Sequence, residues 1–192
     1  MSITRLQRSA AALAALALPA SLAFLAPPAQ AATPAQPFGP GCSAVPEEGA
    51  GSLEDMAKDP VATAASSNPE LSTLVSAVKK AGLVDTLNNA ENITLFAPTN
   101  EAFEKIPQAD LDALLNDKEQ LTKVLTYHVV GEKLTTQQLE DGSFKTLEGS
   151  TLTTQGSDTT FTVNDTAKIV CGDVPTANAT VNLIDTVLMP DQ

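Results

Sequence analysis

The chain has 192 residues and a formal net charge of −12, with 43% hydrophobic and 4% aromatic residues. So acidic a surface repels phosphate backbones and anionic lipid heads, so nucleic acid is excluded as an expected partner: binding phosphates needs clustered Lys or Arg. A single histidine and two cysteines exclude metal centres built on several histidines and leave room for one intrachain disulfide. In chain order, residues 1–31 read as an address, because Arg5 and Arg8 precede an apolar run from Ala10 to Ala26 and Ala29-Gln30-Ala31 fits a signal-peptidase site. The run is shorter than the roughly 20 apolar residues of a spanning helix and Pro19 interrupts it, so cleavage after Ala31 is expected and stable membrane insertion is not. A lipid on Cys42 is disfavoured by Gly39-Pro40-Gly41 before it and by its distance from the apolar run. The expected location is secreted, extracellular or loosely associated with a cell wall. Removing the leader takes both arginines, so the charge moves from −12 to −14 with nine lysines left.

Residues 32–51 are rich in Pro, Gly and Ala and bury too little to order themselves, which reads as an N-terminal segment before one domain at 52–190. A domain of about 150 residues buries roughly 70% of its unfolded surface, enough for a sizeable core. In an exported chain Cys42 and Cys171 most simply form a disulfide, with two buried free thiols as the alternative. A bridge would tie the N-terminal segment down.

Helices are expected after Asp59-Pro60 and Asn68-Pro69, each a capping residue followed by proline in the first turn. The second has Leu71, Leu74, Val75 and Val78 at i, i+3, i+4 and i+7, Lys79 and Lys80 in the last turn and Gly82 as a left-handed stop. A short turn follows around Leu83, Val84 and Leu87. Ile93 to Phe103 reads as a strand, a stop and a helix start: Ile93, Leu95 and Ala97 alternate with Thr94 and Phe96, and Pro98 ends the ladder. Thr99 and Asn100 are expected to cap the next helix, which turns Ala102 and Phe103 inward. Asp110–Leu115 and Lys118–Thr126 are amphipathic helices, Tyr127–Val130 is β-like, and Thr135 or Thr136 caps a turn with Leu139. From Phe144 onward, runs at 150–154, 159–163 and 168–170, separated by Gly, Asn and Asp, predict antiparallel strands. Helices with one strand followed by a run of strands is an α+β order.

"TLFAPTNEAF" at Thr94–Phe103 resembles the first signature box of the fasciclin domain family, Thr126-Tyr127-His128-Val129-Val130 its Tyr-His motif, and "VNLIDTVLMP" at Val181–Pro190 its second box. In particular the chain is similar to the secreted single-domain fasciclin antigens of mycobacteria and related actinobacteria, through Gly39-Pro40-Gly41-Cys42, "LTYHVV", Ile169-Val170-Cys171-Gly172 and "ANATV". The resemblance implies a β-wedge of two antiparallel sheets with helices packed along one side. It also implies structural roles for Phe96, Ala97, Pro98, Thr99, Asn100, Phe103 and Asp185. In some animal members the Tyr-His region and an Asp-Ile pair before the second box are linked to integrin binding, and Asp173-Val174 falls on that pair here. An exposed Asp173 on a loop would suit a receptor-held cation, so Asp173, Val174, Tyr127 and His128 are the candidate interaction residues.

Without a Gly-x-Ser-x-Gly elbow and with one histidine in a β-like run, catalysis is not expected. No cofactor or metal is implied. The expected function is adhesion-type contact with a protein partner on a cell surface or in the matrix, and the alternative is a small-ligand or carbohydrate module using a cleft between helices and sheet. An absence of Trp and a single Tyr weaken the carbohydrate case. Three glycosylation sequons begin at Asn92, Asn164 and Asn178.

Overall fold

In a computed structural model, residues 36–46 and 48–190 are described; the leader and its cleavage site lie outside them. Eight α-helices and seven strands are found among these residues. The helices are α1 (Leu53–Met56), α2 (Val61–Ser67), α3 (Ser72–Ala81), α4 (Val84–Asn89), α5 (Asn100–Glu104), α6 (Gln108–Asn116), α7 (Lys118–Tyr127) and α8 (Thr136–Leu139). The strands are β1 (Ile93–Pro98), β2 (Val129–Val130), β3 (Asp141–Lys145), β4 (Thr151–Ser157), β5 (Thr160–Val163), β6 (Ala167–Pro175) and β7 (Ala179–Ile184).

The strands run β2-β1-β7-β6-β5-β4-β3. One bridge between Val130 and Thr146 and a bond from Leu147 N–H to the Val129 carbonyl nearly close them into a barrel. The fold is thus α+β as expected, but the strands are not purely antiparallel. β1 and β7 pair in parallel along six residues, from Ile93 opposite Ala179 to Pro98 opposite Ile184. The two signature boxes supply these adjacent strands, and every residue of both is buried.

Burial on two faces explains that pattern. Ile93, Leu95 and Ala97 point to a core shared with the helices, where Leu74, Val78, Leu87 and Leu121 also lie, whereas Phe96 points into a second core with Phe144, Leu152, Phe161 and Ile184. Period-2 side-chain alternation thus serves two apolar compartments rather than one core and solvent.

Local signals hold in α3, where Gly82 takes φ 77 as the left-handed stop and Lys79 and Lys80 occupy the last turn. Thr135 and Gln138 form a reciprocal capping box on α8. Two expectations are corrected. Tyr127 is the last residue of α7 and His128 its C-cap, so the β run begins only at Val129. Thr99 sits at the N-cap of α5 without a side-chain bond, and Asn100 caps a different helix.

Candidate functional site

Asn100 shows how the first box is used. Its Oδ1 accepts from the Thr73 N–H (3.0 Å) and the Ser72 hydroxyl (3.1 Å), and its Nδ2 donates to the Pro69 carbonyl (2.8 Å). It therefore satisfies a free donor at the start of α3 from 27 residues away. Phe96, Ala97 and Phe103 are buried, and Pro98 closes β1, after which the Thr99 N–H donates to the Ile184 carbonyl. Asp185, in the second box, accepts from the Lys168 N–H (2.8 Å) and pairs with Lys105 (3.1 Å). Burial raises its carboxyl pKa, but the bonds from Lys168, Lys105 and Thr186 and the Lys105 charge outweigh this and hold it below the usual range.

His128 lies between α7 and the C-terminal run, 1% exposed. The Leu188 N–H donates to Nε2 (3.0 Å), which makes Nε2 an acceptor, so Nδ1 carries the proton and donates to the Val124 carbonyl (2.7 Å). Burial outweighs the Val124 bond and lowers the histidine pKa to about 4. The unfolded chain, with histidine near 6.5, takes up this proton first. Stability from the neutral ring is therefore full above about pH 6.5 and is lost as pH falls toward 4, by about 3 kcal/mol in all. Urea unfolding between pH 7 and 4 is expected to lose stability more steeply for the native protein than for His128→Gln. Parallel pH profiles would refute this role.

Tyr127 is held as firmly. Its hydroxyl donates to the Thr151 carbonyl (3.2 Å) and accepts from Asn164 Nδ2 (2.7 Å), while Asn164 Oδ1 accepts from the Thr153 N–H (2.9 Å). Asp173 is not on an exposed loop. It sits within β6, 6% exposed with φ 58, where register shifts on either side of Cys171 let the strand bulge and continue. Its carboxylate accepts from the Thr136 hydroxyl (2.6 Å), its N–H donates to buried Asn182 Oδ1 (3.0 Å), and Val174 is fully buried. The expected cation-facing pair is thus turned inward.

The Cys42–Cys171 disulfide is present, with 4.7 Å between Cα atoms. Beside it, Phe38 and Gly172 exchange backbone bonds of 3.1 and 2.8 Å, and the Phe38 ring rests over Gly172, where a Cβ would fall 2.2 Å from it. Gly39, at φ 104, lies against the Val170 carbonyl, and this close approach is why the run before Cys42 is glycine-rich.

Sequence reasoning missed a second asparagine hub. Asn178 Oδ1 accepts from the Val61 N–H at the start of α2 (2.8 Å), and its Nδ2 donates to the carbonyls of Leu87 (2.8 Å), Asn88 (3.3 Å) and Ala90 (2.6 Å). Asn88 Oδ1 accepts from the next donor, Ala62 N–H (3.0 Å). Two sequon asparagines, Asn164 and Asn178, are thus committed to internal bonds, whereas Asn92 is exposed. Among the described residues no group of three or more His, Cys, Asp or Glu is placed to hold a metal ion, and no helix is long and apolar enough to cross a membrane.

Beside Asn178, a polar hollow of about 260 Å³ is lined by Glu91, Asn92, Lys133 and Thr176, and two further hollows lie against helices. One of about 500 Å³ lies over α5 and α6, with Phe103, Ile106 and Leu111 beneath and Asn100, Glu104 and Gln108 at its edge. The other, of about 90 Å³, lies between α2, α3, α4 and β1.

Comparison with known proteins places this geometry. The fasciclin domain profile matches residues 69–190. The cell surface glycolipoproteins MPB83 of Mycobacterium bovis and MPT83 of Mycobacterium tuberculosis are 52% identical over 147 residues, 74% of this chain. The chain spans 66% of the length of those relatives. The immunogenic protein MPB70 of M. bovis is 45% identical over 160 residues, 79% of this chain and 81% of that protein. The fold is also similar to a FAS1 domain pair from the insect cell adhesion molecule Fasciclin I, with a TM-score of 0.58 and 18% identity over 71% of this chain and 52% of that one. Cell-surface relatives and a disulfide, a bond that persists in oxidising compartments, make this a secreted, extracellular or loosely cell-wall-associated protein. The chain belongs to the fasciclin domain family.

Proposed function

We propose that the protein is a non-enzymatic surface-interaction module of the fasciclin type that contacts a protein partner on a cell surface or in the matrix. The observation that carries this reading is the division of its side chains. Tyr127, His128, Asp173 and Val174 are spent inside the molecule, whereas Ile106 and Leu111, both half-buried, open onto the broad hollow over α5 and α6. An apolar floor within a polar rim is the anatomy of a protein contact. Such a surface needs a rigid frame beneath it, and Asn100 and the Lys105–Asp185 pair tie this region to α3 and to the end of β7. The membership of relatives named as cell surface and cell adhesion proteins supports the same reading.

Attachment of host cells and of the producer's envelope material to the immobilised protein tests it. Leu111→Glu, which places a charge on the floor, is expected to weaken attachment about tenfold, or roughly 1.4 kcal/mol. Thr159→Glu in the exposed turn between β4 and β5 should leave it intact. Saturable attachment that both variants retain would remove the α5–α6 surface, and no attachment by the native protein to either material would overturn the reading.

A further inference from the structure

We infer that the smaller hollow, between α2, α3, α4 and β1, is a binding site for the alkyl chain of a small carboxylate, with Lys79 receiving its head group. The site begins in composition. Residues 61–67 read Val-Ala-Thr-Ala-Ala-Ser-Ser, so α2 presents small side chains where it packs on α3 and α4. The larger groups opposite, Leu74, Val78, Leu87 and Leu95, are all buried and form an apolar floor.

A gap of this kind normally closes by a shift of the lighter helix, because interiors pack to near-crystalline density. Here α2 is held in place by polar ties. The Val61 and Ala62 N–H groups are fixed by Asn178 and Asn88, and Asn88 Nδ2 also donates to the Thr63 hydroxyl (3.3 Å). Both asparagines are anchored outside α2, so hydrogen bonds as well as apolar packing fix its distance from α4. The space of about 90 Å³ is therefore built into the frame.

The mouth defines the ligand class. Half-buried Val75 and Val84 and the exposed hydroxyl residues Thr63 and Ser66 line it, with Lys79 as the charged residue in the lining. No carboxylate lines the hollow, although the protein as a whole carries −12. A cationic head would gain nothing at this mouth, and a sugar finds no aromatic platform. An anionic head finds one ammonium and the Thr63 hydroxyl, whose oxygen accepts from Asn88 and whose proton is free, while the Ser66 hydroxyl donates to the Thr63 carbonyl (2.6 Å). The volume accommodates the end of an aliphatic chain rather than a fused ring system, since an apolar cavity of about 150 Å³ takes up one benzene. The inference does not depend on the attachment surface over α5 and α6, which has different lining residues.

The test is an amide NMR titration of the native, disulfide-bonded protein with octanoate below its micelle concentration, beside acetate and octyltrimethylammonium. Octanoate is expected to shift amides of α2, α3 and α4 saturably, with acetate inert and the cationic chain at least tenfold weaker. Lys79→Gln, at an exposed position, should weaken octanoate threefold to tenfold. Val75→Trp, half-buried at the mouth, should abolish the saturable shifts while the remaining spectrum reports an intact fold. Absence of saturation by octanoate, equal binding of the cationic chain, or undiminished binding to Lys79→Gln would each overturn the inference.

Discussion

Reduction of the Cys42–Cys171 bridge is expected to lower the thermal midpoint of the domain by about 12 °C. The two residues are 129 apart in sequence, and constraining an unfolded loop of that length is worth up to about 5 kcal/mol on the chain-entropy argument. Allowing for compact structure in the unfolded chain, about 4 kcal/mol remains, and each kcal/mol corresponds to roughly 3 °C in a domain of this size. The local consequence is equally specific. The bridge holds the N-terminal segment on β6, where Phe38 supplies both backbone bonds to Gly172 and a ring 5.0 Å from that of Phe161. Calorimetry with and without reductant, using a Cys42→Ala, Cys171→Ala double variant as the unbridged reference, measures the first effect. Amide exchange at Gly172, faster after reduction, measures the second. An unchanged midpoint after complete reduction would show that the bridge does not stabilise the domain, and thiols reactive before reduction would show that it is not formed.

Asn178→Ala is expected to cost about 3 to 4 kcal/mol, close to 10 °C in midpoint. The substitution leaves one N–H and three carbonyls without their shared partner. A buried group left unsatisfied costs about 1 to 3 kcal/mol, reduced here because these bonds are only partly buried and water replaces some of them. Asn178→Asp separates hydrogen bonding from packing, since it keeps shape and the acceptor for Val61 but turns a negative charge toward three carbonyl oxygens. It is expected to be at least as unstable as the alanine variant at pH 7 and to recover part of the loss in acid. Urea unfolding of the three proteins decides the point, and an Asp variant as stable as the native protein would show that the carbonyl bonds contribute nothing.

Helix α3 could be read from a dozen neighbouring residues, because its stripe, its basic last turn and Gly82 are local in sequence. The strand, stop and helix order at Ile93–Phe103 was legible for the same reason, although its capping was not. Other misreadings share one physical origin. Tyr127 and His128 look β-like by type, yet α7 continues through them because its buried face, Leu121, Val124 and Leu125, is packed against α3 and carries the helix to its cap. The Gly-Asp-Val-Pro run after Cys171 has the composition of a loop, but paired bulges keep it in the sheet and turn Asp173 inward.

Local chemistry within a turn or two of chain therefore settles the stripe and stop of α3, the strand-then-helix order at Ile93–Phe103 and the family motifs, and a count of two cysteines settles their pairing. Tertiary structure alone decides which backbone donors Asn88, Asn100 and Asn178 satisfy, because their partners lie 26 to 117 residues away. It also decides the parallel pairing of β1 with β7 and the hollow beside α2. An asparagine in a turn looks the same in sequence whether it caps its own helix, caps another or faces water, and only the packed chain shows which group it meets.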